Sequence, residues 1–218
     1  MEGESPGHRL GKAVSLSSDG MRVAVGSCSV QAGYVRVFEY TTSWNQIGVN
    51  IDGEAVGDSS GCHIHLAPNG DRLAVGAHAN SDGGVEAGHV RIYQYESSSW
   101  NQIGQDIDGK NPYDNTGTAV ALSWDGNRVA IGSSASDGGG HNSGSVRVYD
   151  YDLLSSSWVQ LSSDIDGTAE KGYSGSSVSF SYDGSRLAVG AYNASSGGSG
   201  QVRIWQLAHA PSGQPSGL

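Results

Sequence analysis

A sixteen-residue segment recurs four times along this chain. Gly11-Lys-Ala-Val-Ser-Leu-Ser-Ser-Asp-Gly-Met-Arg-Val-Ala-Val-Gly26 returns as residues 61–76, 117–132 and 175–190, at start-to-start intervals of 50, 56 and 58 residues. Self-similarity at this period marks a stacked-repeat architecture, in which each unit buries its apolar face only against a neighbour. The repeat also supplies an internal comparison, because every residue can be judged against its counterparts.

Each unit reads as four strands. Ala13-Val-Ser-Leu16 alternates small or polar with apolar residues, the period of a strand. The dipeptide that follows is Asp19-Gly20, Asn69-Gly70, Asp125-Gly126 or Asp183-Gly184. Such pairs tolerate the positive φ of both central residues of a type I′ turn, so a two-residue hairpin is expected. Arg22-Val-Ala-Val25 and its equivalents form the second strand, and Tyr34 to Tyr40, His89 to Tyr95, Ser145 to Tyr151 and Gln201 to Leu207 the third. A fourth begins at Trp44, Trp100 or Trp158 and reaches Ile51, Ile107 or Ile165 seven residues later. Four antiparallel strands per repeat describe an all-β β-propeller with one blade per unit. The expected propeller spans 1–207, in repeats of about 11–60, 61–116, 117–174 and 175–207. Residues 208–218 are a Pro/Gly/Ser-rich tail that begins where the last blade's outer strand should be, so that blade is expected to lack it.

The pattern G-x-x-V-x-L-S-x-D-G-x-R-[LV]-A-[VI]-G, followed by G-x-V-R-[VI]-[YF], resembles the FG-GAP-type repeat of integrin α-subunit propellers and related cell-surface proteins. The resemblance implies the propeller fold and an extracellular or cell-surface setting. It does not bring the calcium site of that family, because the loop between the first two strands is too short to wrap six to eight oxygen ligands. The tail Pro211-Ser-Gly-Gln-Pro-Ser-Gly217 is similar to the Pro-Ser-Gly-Gln tracts of algal and protist surface proteins.

Charge narrows the partners. The net charge of −10 on 218 residues argues against nucleic acid, which needs a basic face. Eight of the nine arginines fall in two repeat series, Arg22/Arg72/Arg128/Arg186 and Arg36/Arg91/Arg147/Arg203, spread along the repeats rather than gathered in a patch. They read as structural residues pairing with backbone or acidic groups. No apolar run approaches the roughly 20 residues of a spanning helix. The first residues show no secretory signal, and they align partway into a repeat, as expected of a fragment.

A few residues have no counterpart in the other repeats. Cys28 follows a second strand and Cys62 opens the next first strand, positions on one rim of adjacent blades. A disulfide, two separate thiols or a metal role are all compatible with that placement. His63 and His65 point to one face of a strand and are the candidate metal residues, although the other repeats carry small residues there. Asn193-Ala194-Ser195 is the one acceptor sequence for N-glycosylation. No nucleophile elbow and no phosphate-cradling glycine loop is evident, and no catalytic residue or cofactor is expected.

These features lead to the expectation of a non-catalytic extracellular propeller, a structural or interaction module of a surface or fibrillar assembly. Its partners would be itself, another surface protein or glycans, met through rim loops or the open edge of the last blade. A lectin-like carbohydrate-binding module is the alternative, and a metal-dependent enzyme built on His63/His65 a third reading.

Overall fold

The computed structural model describes residues 1–29, 31–194 and 198–208. They form eighteen strands, all in antiparallel sheets, and no helix. The first sheet holds β1 (Leu10–Leu16), β2 (Arg22–Ser27), β3 (Tyr34–Tyr40), β4 (Trp44–Gln46) and β5 (Ile51–Asp52). The second holds β6 (His63–Leu66), β7 (Arg72–Ala77), β8 (His89–Glu96), β9 (Ser99–Gln102) and β10 (Ile107–Asp108). The third holds β11 (Thr116–Leu122), β12 (Arg128–Ser133), β13 (Ser145–Asp152), β14 (Ser157–Gln160) and β15 (Ile165–Asp166). The fourth holds β16 (Ser174–Phe180), β17 (Arg186–Ala191) and β18 (Gln201–Gln206), and β18 pairs only with β17 among the described residues.

Two local details differ from the sequence reading. The expected fourth strand is split, so that β4 and β5 both pair with β3, as β9 and β10 do with β8 and β14 and β15 with β13. The hairpin between the first two strands of each repeat is not a two-residue type I′ turn. Ser17 N–H donates to the Arg22 carbonyl and Gly20 N–H to the Ser17 carbonyl, leaving four residues in the loop. Only the glycine takes positive φ, +71° at Gly20 and +70° at Gly126. The acidic residue does different work: Asp19 Oδ1 accepts from Ser17 Oγ at 2.6 Å and from Met21 N–H at 2.9 Å. Asp125 and Asp183 repeat this arrangement with Ser123 and Asn127, and with Ser181 and Ser185. Hydrogen bonds from Ser17 and Ser181 hold Asp19 and Asp183 below the usual carboxylate range. A side-chain acceptor for an otherwise unpaired turn N–H removes the need for the second left-handed residue.

Successive sheets stack face to face in chain order through three apolar layers. Ala24, Val35, Val37 and Ile51 of the first sheet pack on Leu66, Leu73, Val75 and Trp100 of the second. Ala74, Val90, Ile92 and Ile107 then meet Val120, Leu122, Val129 and Ile131. Ala130, Val146 and Val148 of the third sheet meet Leu187 and Val189 of the fourth, with Val178, Phe180 and Trp205 at the margin. Backbone meets backbone at the glycine near the end of the second strand in the first three units. A Cβ on Gly26, Gly76 or Gly132 would overlap the carbonyl oxygen of Gly61, Gly117 or Gly175 in the next sheet.

Three members of each arginine series bond backbone carbonyls outside their own sheet. Arg22 donates to the Gly70 carbonyl at 3.0 Å, Arg72 to Gly126 at 3.1 Å and Arg128 to Gly184 at 2.9 Å, each crossing to the hairpin of the next sheet. Arg36, Arg147 and Arg203 reach backwards instead, to the carbonyls of Glu2, Asp108 and Asp166. Two tryptophans seat between units as well: the Trp100 ring lies against Gly48, and Trp158 lies against Gly104 with its Nε1 donating to the Ile103 carbonyl at 3.0 Å.

Cys28 and Cys62 are joined in a disulfide, with Cα atoms 4.4 Å apart and a sequence separation of 34. It ties the first sheet to the strand that opens the second. Closing a loop of that length restricts the unfolded chain by an amount worth about 3–4 kcal/mol.

Gly132→Ala forces a methyl group into the backbone of Gly175, which cannot move without shifting the whole fourth sheet. The expected cost is about 1–3 kcal/mol, read as a lower midpoint in urea unfolding with an unchanged slope.

Candidate functional site

The repeat builds one polar slot in each of the first three units, and the three differ in content. Its floor is the third-strand arginine (Arg36, Arg91 or Arg147) and its wall the fourth-strand glutamine (Gln46, Gln102 or Gln160). The residue four positions beyond the glutamine is Asn50, Asp106 or Asp164, and the preceding inter-sheet connection adds Glu4, Glu54 or Lys110.

In the first sheet the slot is closed by a hydrogen-bond relay through two amide side chains. Arg36 Nε donates to Gln46 Oε1 at 2.8 Å, Gln46 to Asn50 at 3.1 Å, and Asn50 to Glu4 at 2.8 Å.

In the second sheet it becomes a charge cluster. Arg91 is held by Asp106 through two bonds of 2.9 and 2.6 Å and by Glu54 on its other side. Hydrogen bonding to Asp106 drives the Arg91 pKa upward, and the same bond pulls Asp106 below its ordinary range. His89 lies beside them, 3% exposed, its Nδ1 without a hydrogen-bond partner and 4.0 Å from Glu54. Burial and then the Arg91 charge lower its pKa, so the ring is neutral near pH 7. Ligand atoms of Glu54, His89 and Asp106 lie within 4.8 Å of one another, close enough to share a cation. The guanidinium of Arg91 already bonds both carboxylates, so the cluster fits its own arginine rather than a metal ion.

In the third sheet the slot opens. Lys110 replaces the glutamate and captures Asp164 at 2.7 and 2.8 Å, and Gln160 donates to the same carboxylate at 2.9 Å. Burial opposes ionisation of Asp164, but these donors prevail and its pKa is lowered. Arg147 therefore keeps only neutral partners: Tyr149 Oη at 3.0 Å, the Asp108 carbonyl at 2.9 Å and Thr116 Oγ1 at 3.2 Å. It is 4% exposed, and no ion pair to it is found among the described residues. It faces a cleft of about 490 Å³ lined also by Lys110, Asn111, Asp114, Ser136, Ser145, Gln160, Ser162, Asp164 and Asp166. A buried guanidinium with neutral partners, hydroxyls and a carboxylate around one cleft can bind a polyhydroxylated anion and polarise a carbonyl.

The residues singled out from sequence lie elsewhere. His63 and His65 make separate contacts, each with a different neighbour. His65 Nδ1 accepts the Leu122 N–H at 3.1 Å, the inter-sheet role that Ser15 Oγ plays for Leu66 N–H at 2.9 Å. His63 packs edge-on against His78 with ring centres 5.6 Å apart. Asn193 Nδ2 donates to the Lys171 carbonyl at 2.8 Å, and Ser195 of the glycosylation sequence lies outside the described residues, as does the tail from residue 209. Sequence reasoning missed His89, Glu54, Asp106 and the Arg147 cleft. The available signal was the substitution of Tyr34, Ser145 and Gln201 by His89, and of Glu4 and Glu54 by Lys110.

Burial, followed by the nearby charges of His78 and Lys12, pushes the His63 pKa down to about 4 from 6.5. The unfolded chain therefore takes up a proton between pH 6.5 and 4 that the folded chain refuses, and stability falls as pH is lowered through that window. His63→Ala, which restores the residue at the equivalent positions 13 and 119, is expected to flatten the decline in urea unfolding between pH 7 and 4.5.

No protein family matches this sequence, and no curated protein matches it. Solved structures do. A putative 6-phosphogluconolactonase from Bacteroides uniformis superposes with a TM-score of 0.61 at 15% identity, over 88% of this chain and 49% of that one. Kuenenia stuttgartiensis hydrazine synthase gives 0.59 at 16%, over 90% and 58%. A putative 6-phosphogluconolactonase from Bacteroides fragilis gives 0.52 at 16%, over 75% and 40%. The chain thus spans about half the length of the structures it matches, and at this identity the likeness shows the fold: all-β and propeller-like, without the narrower FG-GAP assignment. Two expectations are corrected. Chains named for a lactonase carry this architecture, which overturns the reading of the chain as no enzyme and as a non-catalytic extracellular module of a surface or fibrillar assembly. The repeats account only for what the copies share, whereas chemistry is built where they differ.

Proposed function

We propose that the four sheets are blades of a propeller and that the chain contributes the substrate site of a hydrolase opening the cyclic ester of a sugar acid. The observation that carries the reading is Arg147, a buried guanidinium with neutral partners at the floor of a hydroxyl-lined cleft. The ester carbonyl oxygen is held against Arg147, where negative charge develops as water adds to the carbonyl carbon. Asp166, on the wall of the cleft, accepts the proton of that water. A new carbon–oxygen bond forms, the ring carbon–oxygen bond breaks, and the proton passes to the departing ring oxygen. Ser136, Ser145 and Ser162 face the substrate hydroxyls, and Lys110 at the rim meets an anionic substituent. The likeness to proteins named as 6-phosphogluconolactonases supports this class of substrate by analogy of fold.

Acid release from sugar δ-lactones, with and without a 6-phosphate, tests the reading. Hydrolysis above the spontaneous rate is expected, with kcat/KM lowered about 10²–10³-fold in Arg147→Ala and about 10²–10⁴-fold in Asp166→Asn. A rate equal to the spontaneous one for every lactone rejects it.

A further inference from the structure

The slots of the second and third sheets hold the same three groups, arginine, glutamine and aspartate, in two arrangements. In both, the glutamine tethers the aspartate: Gln102 donates to Asp106 Oδ1 at 2.6 Å and Gln160 to Asp164 Oδ1 at 2.9 Å. The other partner of the carboxylate differs. Asp106 spans the guanidinium of Arg91, accepting from Nε at 2.9 Å and from Nη2 at 2.6 Å. Both oxygens of Asp164 accept instead from Lys110 Nζ, at 2.7 and 2.8 Å.

Arg147 is left with an unused donor. Its Nη1 and Nη2 serve Tyr149 Oη, the Asp108 carbonyl and Thr116 Oγ1, but its Nε donates to no group among the described residues. Arg36 Nε and Arg91 Nε each donate into their own slots, to Gln46 Oε1 at 2.8 Å and to Asp106 Oδ1. Asp164 and Arg147 line one cleft. Burial opposes ionisation of Asp164, and the donors Lys110 and Gln160 outweigh it together with the charge of Arg147, which the carboxylate therefore already feels.

The two cations that flank Asp164 are held differently. Arg147 is 4% exposed and fixed by its neutral partners, whereas the Lys110 side chain is 51% exposed at the rim. An exposed lysine–carboxylate pair is weakly held, and a buried guanidinium gains strongly from a carboxylate that meets its fork. We infer that Lys110 is a positioning residue that keeps the third slot open, and that cancelling its charge passes Asp164 to Arg147, closing the slot in the arrangement displayed by the second sheet. Only one side chain has to turn, on the tether that Gln160 provides. The site is thus controlled from its rim: loss of the ammonium at residue 110 occupies the floor arginine without touching it. The consequence for turnover rests on the hydrolase reading of Arg147, while the exchange of partners does not.

Crystal structures of Lys110→Gln and Lys110→Arg test the exchange. In Lys110→Gln the Asp164 carboxylate is expected on Arg147 Nε, as Asp106 sits on Arg91; in Lys110→Arg, which keeps the charge, it is expected to remain at the rim. An unphosphorylated sugar δ-lactone supplies a second readout, because it makes no demand on a rim cation. Lys110→Gln is expected to lower kcat/KM about 10²-fold, as loss of a donor to the developing charge does, and adding Asp164→Asn, which leaves no carboxylate to occupy Arg147, to restore about tenfold or more. Asp164 apart from Arg147 in the Lys110→Gln structure overturns the inference. So does a double variant as slow as Lys110→Gln alone, which would give Lys110 a direct part in the reaction. A parent chain that opens no lactone rejects the hydrolase reading instead, and the two structures then decide the exchange without turnover.

Discussion

The spacing between successive sheets is set where backbone meets backbone, at the glycine pairs Gly26/Gly61, Gly76/Gly117 and Gly132/Gly175. Nothing larger than a hydrogen fits there, so the inner strands approach more closely than side chains would allow. That closeness brings Ser15 and His65 within reach of the next sheet's Leu66 and Leu122 N–H groups. It also lets Arg22, Arg72 and Arg128 cross to the following hairpin. The apolar layers fill the space that remains, and the tryptophans seal the outer end, with Trp158 on Gly104. Polar fasteners at the margins of each apolar layer fix the angle between sheets, which apolar contact alone leaves free.

Much of this fold was legible because the sequence repeats. Strands, hairpin positions, the rim shared by Cys28 and Cys62, and the fastening role of the arginines all follow from comparing one unit with the next. The turn type was misread because Asp-Gly and Asn-Gly specify a left-handed glycine but leave open whether the residue before it takes positive φ or accepts a hydrogen bond; here it accepts one from the N–H two residues on, at Asp19, Asp125 and Asp183 and also at Asn69, where Ala67 stands in place of the serine. The splitting of the outer strand was invisible because both halves pair with one partner. The slot residues escaped for another reason. Glu54 and Asp106 lie 52 positions apart, and neither is unusual alone in an acidic chain. Their meaning comes from a shared arginine that the repeat had already explained as structural.

The three slots show how one scaffold position acquires different chemistry. A glutamine–asparagine relay in the first sheet, a doubly paired guanidinium in the second and an open cleft in the third use the same strands and the same arginine. The decisive change is Lys110 in place of glutamate. By capturing Asp164 it leaves Arg147 to neutral partners, so a charge that is internally neutralised in one sheet is presented to a cavity in the next. Desolvation makes such a charge costly to leave unanswered and strong toward an anion that reaches it.

The disulfide gives the array a direction. Each sheet is stabilised chiefly by its nearest neighbours, as in other repeat proteins, so the array can come apart stepwise from an end. Cys28–Cys62 fastens the first sheet to the second, while the fourth holds three strands among the described residues and exposes one whole face. The molecule therefore behaves as a zipper pinned at one end. Opening starts at the fourth sheet and travels toward the pin, and it reaches the Arg147 cleft of the third sheet before it reaches the covalently held pair. The cleft of the third sheet thus lies in the more yielding half of the chain, away from the covalent pin.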